Sequence, residues 1–299
     1  MNGNPDKYTG CLLGLACGDA VGAAVEFSPR GSFTPLTGMV GGGPFSLQPG
    51  QWTDDTSMAL CLAQSLIERR GFDPADQMER YCAWRDHGYM SSNGVCFDIG
   101  LTVSSALRRF RQTGNPYAGS TDPLSAGNGS LMRLAPIPLF FAPDKTAVIH
   151  YSGESSKTTH GAAECVDACR LFGAMLHTAL VGGSKEEILC RPGYEPVTPK
   201  IAAIAAGAYR DKPAAAIKGS GYVVDSLEAA LWCFDRTGNF RDAVLQAANL
   251  GDDADTTAAV CGQIAGAYYG RAGIPEEWLA LLTMRAGIEQ MALDLMRGA

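Results

Sequence analysis

Apolar residues recur at three- and four-residue intervals along most of this chain. Leu12, Leu13, Leu15 and Ala16 run on through Ala20 and Ala23 in a stretch rich in glycine and alanine, which predicts a helix able to pack closely on its neighbours. Met58, Leu62 and Leu66 keep four-residue spacing, joined by Ala59, Ala63 and Ile67. The same period predicts helices over residues 99–110, 162–181, 228–234, 240–249 and 257–269, and one or two more over 276–296. No long alternating run of Val, Ile and Thr predicts a strand. Glycine and proline mark loops at 41–44, 49–50, 127–129, 136–138 and 191–193. With no linker and no repeat, the pattern predicts one compact all-α domain over 1–299, with function carried on long loops.

Composition narrows the function classes. At 46% apolar and 18% charged, the 299 residues suit a globular chain rather than a disordered one. A net charge of -7 without any Lys/Arg-rich run argues against nucleic-acid binding. The first nine residues are polar and carry no basic lead into an apolar segment. The apolar stretch that follows is broken by Gly14, Gly18, Asp19 and Gly22, which argues against integral membrane association. Ten scattered cysteines, including the one-turn pair Cys165 and Cys169, read as reduced buried thiols in a cytoplasmic protein.

The chemistry concentrates at two helix starts. Thr53, Asp54 and Asp55 precede one periodic segment; Asp253, Asp255 and Thr256 precede another. Asp and Thr cap helices well, so each cluster alone is explained by capping. Together they place like charges side by side, which costs stability unless a cation offsets it. Carboxylates with threonine hydroxyls suit magnesium, manganese or calcium, and no His/Cys pattern suggests zinc. Capping and metal binding both remain open on the residues alone.

With these clusters in view, the sequence resembles the ADP-ribosylglycohydrolase family. The resemblance runs through Gly10–Gly14, Gly18–Gly22 to Glu26, Trp52–Thr56, Phe97–Gly100, Gly127–Arg133, Thr159-His160 and Gly251–Thr257. It implies a single compact orthogonal helical domain whose central cleft holds two divalent ions, Mg2+ or Mn2+. The ligands it implies are Thr53, Asp54, Asp55, Asp253, Asp255 and Thr256. Glu26 would guard the centre from the far side. Asp98 and the loop Gly127-Asn128-Gly129 would lie near ribose and phosphates, His160 on the leaving-group side, and Tyr222 in a loop at the adenosine end. Asp252 stands where glycine is common and is read as solvated or a helper.

The implied activity is metal-dependent release of ADP-ribose from a modified protein, with ADP-ribosyl-arginine as the expected linkage. The ions would hold the ribose hydroxyls and orient a water, with Asp54 the first candidate for proton transfer and Glu26 the second. Serine-linked or O-acetyl-ADP-ribose is the alternative substrate class, and a non-enzymatic ADP-ribose-binding or crystallin-like relative is the alternative class of protein. A monomer acting on ADP-ribosylated protein is expected. For single residues, bland readings compete: a cap for Asp98, a turn for Asn128, core packing for Trp52, and a surface or structural pair for Arg133. If functional, the 127–129 loop would present backbone amides to a pyrophosphate just before a helix start.

Overall fold

The computed structural model describes residues 3–298; Met1, Asn2 and Ala299, the ends of the expected 1–299 domain, lie outside the described residues. Fourteen α-helices follow in order: α1 Pro5–Gly22, α2 Asp54–Arg69, α3 Pro74–His87, α4 Leu101–Thr113, α5 Pro136–Phe141, α6 Lys145–Lys157, α7 Ala163–Leu180, α8 Lys185–Cys190, α9 Pro199–Ala205, α10 Val223–Arg236, α11 Phe240–Ala248, α12 Ala254–Tyr269, α13 Glu276–Leu281 and α14 Arg285–Gly298. Among the described residues there is no strand, only three isolated bridges. The all-α expectation holds.

α1 and α12 form the centre. Gly10, Gly14, Gly18 and Gly22 line one face of α1 at four-residue spacing and meet Gly266, Gly262, Ala258 and Ala254 of α12. A Cβ on Gly18 would stand 2.1 Å from the Ala258 carbonyl, and one on Gly262 2.0 Å from that of Gly14. The backbones therefore touch directly, which only such small residues allow. The pairing is antiparallel, so the end of α1, just before Glu26, lies against the start of α12, where Asp253 and Asp255 sit. The stretch Pro5–Val25 is long and apolar enough to cross a bilayer, yet 94% of its apolar window is buried within the protein.

A large core runs from Tyr8 to Leu295 around this pair. A second cluster, with Met58, Met78, Tyr81, Trp84, Leu107 and Phe110, joins α2, α3 and α4. Two features depart from the sequence reading. Residues 136–138, read as a loop, open α5: Pro136 and Pro138 fall in its first turn, where their missing N–H groups have no intrahelical partner to lose. The segment after Gly129 is a turn, with the amides of Leu131 and Met132 donating to the Asn128 carbonyl, and not a helix.

Candidate active site

Both acidic helix starts face one cleft, and neither is a side-chain cap. Thr53 occupies the N-cap position of α2 and Asp253 that of α12, but neither side chain bonds its own first turn. By contrast Asn4, Asp73, Asp144, Ser184 and Asn239 cap their helices with side-chain oxygens. The cap of α2 comes from α1 instead. Asp19, fully buried, accepts the amide and hydroxyl of Thr53 at 2.9 and 3.0 Å on Oδ1, and those of Thr56 at 3.0 and 2.6 Å on Oδ2. That releases the clusters for other work. Asp19 stands in the family motif yet was given no role in the sequence reading; its signal was a lone charge inside an apolar helix.

The clusters interlock. Thr53 Oγ1 lies 3.1 Å from Asp255 Oδ2, and Thr256 Oγ1 lies 3.3 Å from Asp55 Oδ2. The single Thr53 hydroxyl proton can serve either Asp19 or Asp255, not both. Asn128 Nδ2 donates to Asp253 Oδ2 at 2.7 Å. Glu26, Asp98 and Asp255 each bring a carboxylate oxygen within 4.8 Å of the others. Asp98 holds a left-handed backbone with φ 59° and does not cap α4, whose N-cap is Gly100. Asp252 is exposed, so it is solvated.

Electrostatics set the character of the site. Burial raises every carboxylate here, and like charges add to it at all but Asp19: Asp19 stands at about 6, Asp98 at about 7 and Glu26 at about 10, with Asp54, Asp55, Asp253 and Asp255 also raised. Among the described residues none of the seven makes an ion pair with Lys, Arg or His. Glu26 Oε2, Asp55 Oδ1 and Asp255 Oδ1 are buried without a hydrogen-bond partner. Unpartnered buried carboxylate oxygens are strongly destabilising, and an all-oxygen donor set suits hard divalent cations. The residues fit a metal centre.

The cleft, about 380 Å³, is lined by the acidic residues Glu26, Asp54, Asp98 and Asp253, by Thr256, and by Gly127, Asn128, Gly129 and His160. It shares Thr102, Gly127 and Gly221 with a second hollow that holds Tyr222, Lys200 and Glu164. Bridges between Gly127 and Tyr222, and between Ser120 and His160, tie these loops together. The amides of Gly127 and Asn128 are taken by the carbonyls of Ser125 and Gly221, so the expected amide ring does not form from them. Gly129 is needed for space: a Cβ there would meet His160 Cε1 at 2.8 Å.

Arg133 belongs neither to the surface nor to an ion pair. It is fully buried, 4.7 Å above the Tyr81 ring, and donates to Gly129 O at 3.0 Å and to Thr159 Oγ1 at 2.7 Å. Thr159 Oγ1 in turn lies 2.8 Å from His160 Nδ1. Guanidinium only donates, so Thr159 accepts from it and its own hydroxyl proton is free for Nδ1, an arrangement in which His160 carries its hydrogen on Nε2. Burial, and secondarily Arg133, lowers the His160 pKa to about 3, so the ring is neutral. Trp52 is fully buried with its Nε1 on the Thr283 carbonyl, which makes it core rather than a base-stacking platform. Tyr222 OH accepts from Lys200 Nζ at 2.6 Å and donates to Glu164.

The family model for ADP-ribosylglycohydrolase matches residues 2–299. The chain is 47% identical to the ADP-ribosylarginine hydrolase Tri1 of Pseudomonas putida (strain GB-1), over 97% of this chain and 78% of that protein. It is 35% identical to the ADP-ribosyl-[dinitrogen reductase] glycohydrolase of Rhodospirillum rubrum, over 94% and 91%. A solved structure described as an ADP-ribosylglycohydrolase-related protein complex superposes with a TM-score of 0.87 at 43% identity, covering 98% of both chains. With sequence and fold agreeing along nearly their whole length, this chain belongs to the ADP-ribosylglycohydrolase family.

Proposed function

We propose that this protein hydrolyses the N-glycosidic bond between C1″ of the distal ribose of ADP-ribose and an arginine guanidinium on a modified protein. The observation that carries the reading is 47% identity, across nearly the whole chain, to a relative named for that activity. The acidic cleft supports it, because carboxylates favour a cationic leaving group over a serine or acetyl oxygen. Buried carboxylates with no cation of their own also support an enzyme over a passive reader, since ADP-ribose binding alone does not call for them.

Thr53, Asp54, Asp55, Asp253, Asp255 and Thr256 would hold two divalent ions, Mg2+ or Mn2+. When bound, such ions supply positive charge that offsets the carboxylates and acidifies water. The chain's own groups do the rest. Asp54 accepts a proton from the water attacking C1″, with Glu26 the second candidate. The C1″–N bond breaks, the C1″–O bond forms, and the guanidine departs neutral, recovering the proton through the same carboxylate. Asp98 accepts from a ribose hydroxyl, His160 offers Nε2–H to a substrate oxygen, and the Gly127–Gly129 loop and Tyr222 contact the ADP portion. All ten cysteines are free, which supports a reducing compartment such as the cytoplasm.

The test is a linkage panel. Purified protein with Mg2+ or Mn2+ releases ADP-ribose from arginine-modified protein, and EDTA stops release. ADP-ribose binding without cleavage of arginine-, serine- or O-acetyl-linked substrates would show a reader instead.

A further inference from the structure

Phe27 has an unusual setting for an apolar side chain. It is 64% exposed, yet its backbone is locked at φ 60° by an N–H donated to the Asp252 carbonyl at 2.7 Å. Asp252 answers from φ 57°, donating its own N–H to the Ser28 carbonyl at 2.8 Å. Left-handed backbone at two non-glycine residues is strained and persists only where surroundings impose it. Core burial is not the return here, since the ring stays in solvent.

The ring is instead the outer step of an aromatic ladder. Phe27 meets Phe45 edge-on at 6.5 Å, and Phe45 meets Phe97 at 5.2 Å. Both ends join the acidic cluster through the chain: Glu26 precedes Phe27, Asp98 follows Phe97, and the two carboxylates converge. Phe27 lines the same cleft as Asp54 and Asp98. Among the described residues no Lys or Arg lines that cleft, and Lys200 in the adjoining hollow is paired with Glu164 at 3.3 Å. The acidic Phe27 side therefore suits a cation.

An aromatic face beside carboxylates recognises a planar, delocalised, weakly hydrated cation, which is a guanidinium. We infer that Phe27, braced by Phe45 and Phe97, is the platform on which the arginine of the modified protein rests, and that it sets the preference for arginine-linked ADP-ribose. This rests on the arginine reading above.

The experiment compares wild type, Phe27→Leu and Phe27→Tyr, each with Mg2+, for turnover of ADP-ribosyl-arginine and for affinity toward free ADP-ribose, which has no guanidinium. Leucine keeps the apolar bulk and removes the ring face. KM for ADP-ribosyl-arginine rises about ten-fold in Phe27→Leu and recovers in Phe27→Tyr, while ADP-ribose affinity moves by less than about two-fold in either. An unchanged KM in Phe27→Leu, or an ADP-ribose affinity that weakens in step with KM, overturns the platform alone. If the wild-type enzyme releases nothing from ADP-ribosyl-arginine, the arginine reading falls and the platform with it.

Discussion

Asp19 holds Thr56 twice, accepting its hydroxyl at 2.6 Å and its amide at 3.0 Å on one carboxylate oxygen. The other oxygen does the same for Thr53. A helix start that would normally be capped from within its own sequence is capped from α1, leaving Asp54 free to line the cleft and Asp55 to meet Thr256 behind it. Asp19→Ala strands two buried amides and the Thr56 hydroxyl, each costing about 1–3 kcal/mol, while the Thr53 hydroxyl keeps Asp255. A loss of about 3 kcal/mol or more is expected in urea unfolding, with weaker Mg2+ binding by calorimetry. Asp19→Asn, which keeps one good acceptor, loses less of both. Unaltered Mg2+ affinity in a destabilised Asp19→Ala would separate the cap from the site.

The glycine face of α1 gives a second prediction. Gly262→Ala sets a Cβ about where the Gly14 carbonyl now lies, and backbone cannot step aside as a side chain can. The two helices must part, carrying Asp255 away from Glu26. Overpacking of this kind costs about 1–3 kcal/mol or more. Turnover falls further than the drop in thermal midpoint alone accounts for, because the geometry of the cleft changes even in molecules that remain folded. A variant with lowered Tm but wild-type kcat/KM would show that the spacing of α1 and α12 does not set the site.

The raised carboxylates make stability without metal depend on pH. Asp19, Asp98 and Glu26 titrate at about 6, 7 and 10 in the folded chain, above the ordinary carboxylate values near 4 that hold when it is unfolded. Over that window the folded form binds more protons than the unfolded one, so stability falls as pH rises. Thermal midpoints measured in EDTA therefore drop between about pH 5 and about pH 9. Saturating Mg2+ lifts the midpoint most at the alkaline end, where the carboxylates are ionised. Asp255→Asn removes one buried charge: it flattens the EDTA curve, abolishes the Mg2+ effect and ends turnover. An EDTA curve that climbs with pH would contradict the like-charge picture.

How much of this was legible follows from how each feature is encoded. α1, α2, α7 and α12 present apolar residues at helical spacing and are read directly. α6 turns Ser152, Gly153, Ser155 and Ser156 toward the protein, so its buried face looks polar in sequence. α3 carries five charged residues among its 14, and its stripe of Met78, Tyr81, Cys82 and Trp84 is short. The two acidic clusters stood out because repeated carboxylates at helix starts are costly. Asp19 did not, because its partners lie 34 and 37 residues away. Nor did the Phe27–Phe45–Phe97 ladder, whose rings carry no spacing signal and meet only through loops. Arg133 invites an acidic partner on paper, but its acceptors are neutral oxygens set by folding.

His160 provides the last prediction. In a relay from Arg133 through Thr159, a neutral imidazole takes the Thr159 proton on Nδ1 and keeps its hydrogen on Nε2, the nitrogen nearest Gly127. A pKa lowered to about 3 means that the folded chain binds fewer protons than the unfolded one between there and the usual 6.5. His160 therefore adds stability that is full above the unfolded value and is lost as pH falls toward the folded one. Nitrogen-15 NMR should find the Nε2–H tautomer unchanged from about pH 8 to about pH 5. Thr159→Val keeps the shape and removes the hydroxyl, so the ring loses the donor that fixes its tautomer while Arg133 loses one acceptor. kcat/KM is expected to fall about ten-fold or more, with both tautomers appearing in the spectrum. A wild-type His160 that titrates near 6.5 would break the relay at its first link.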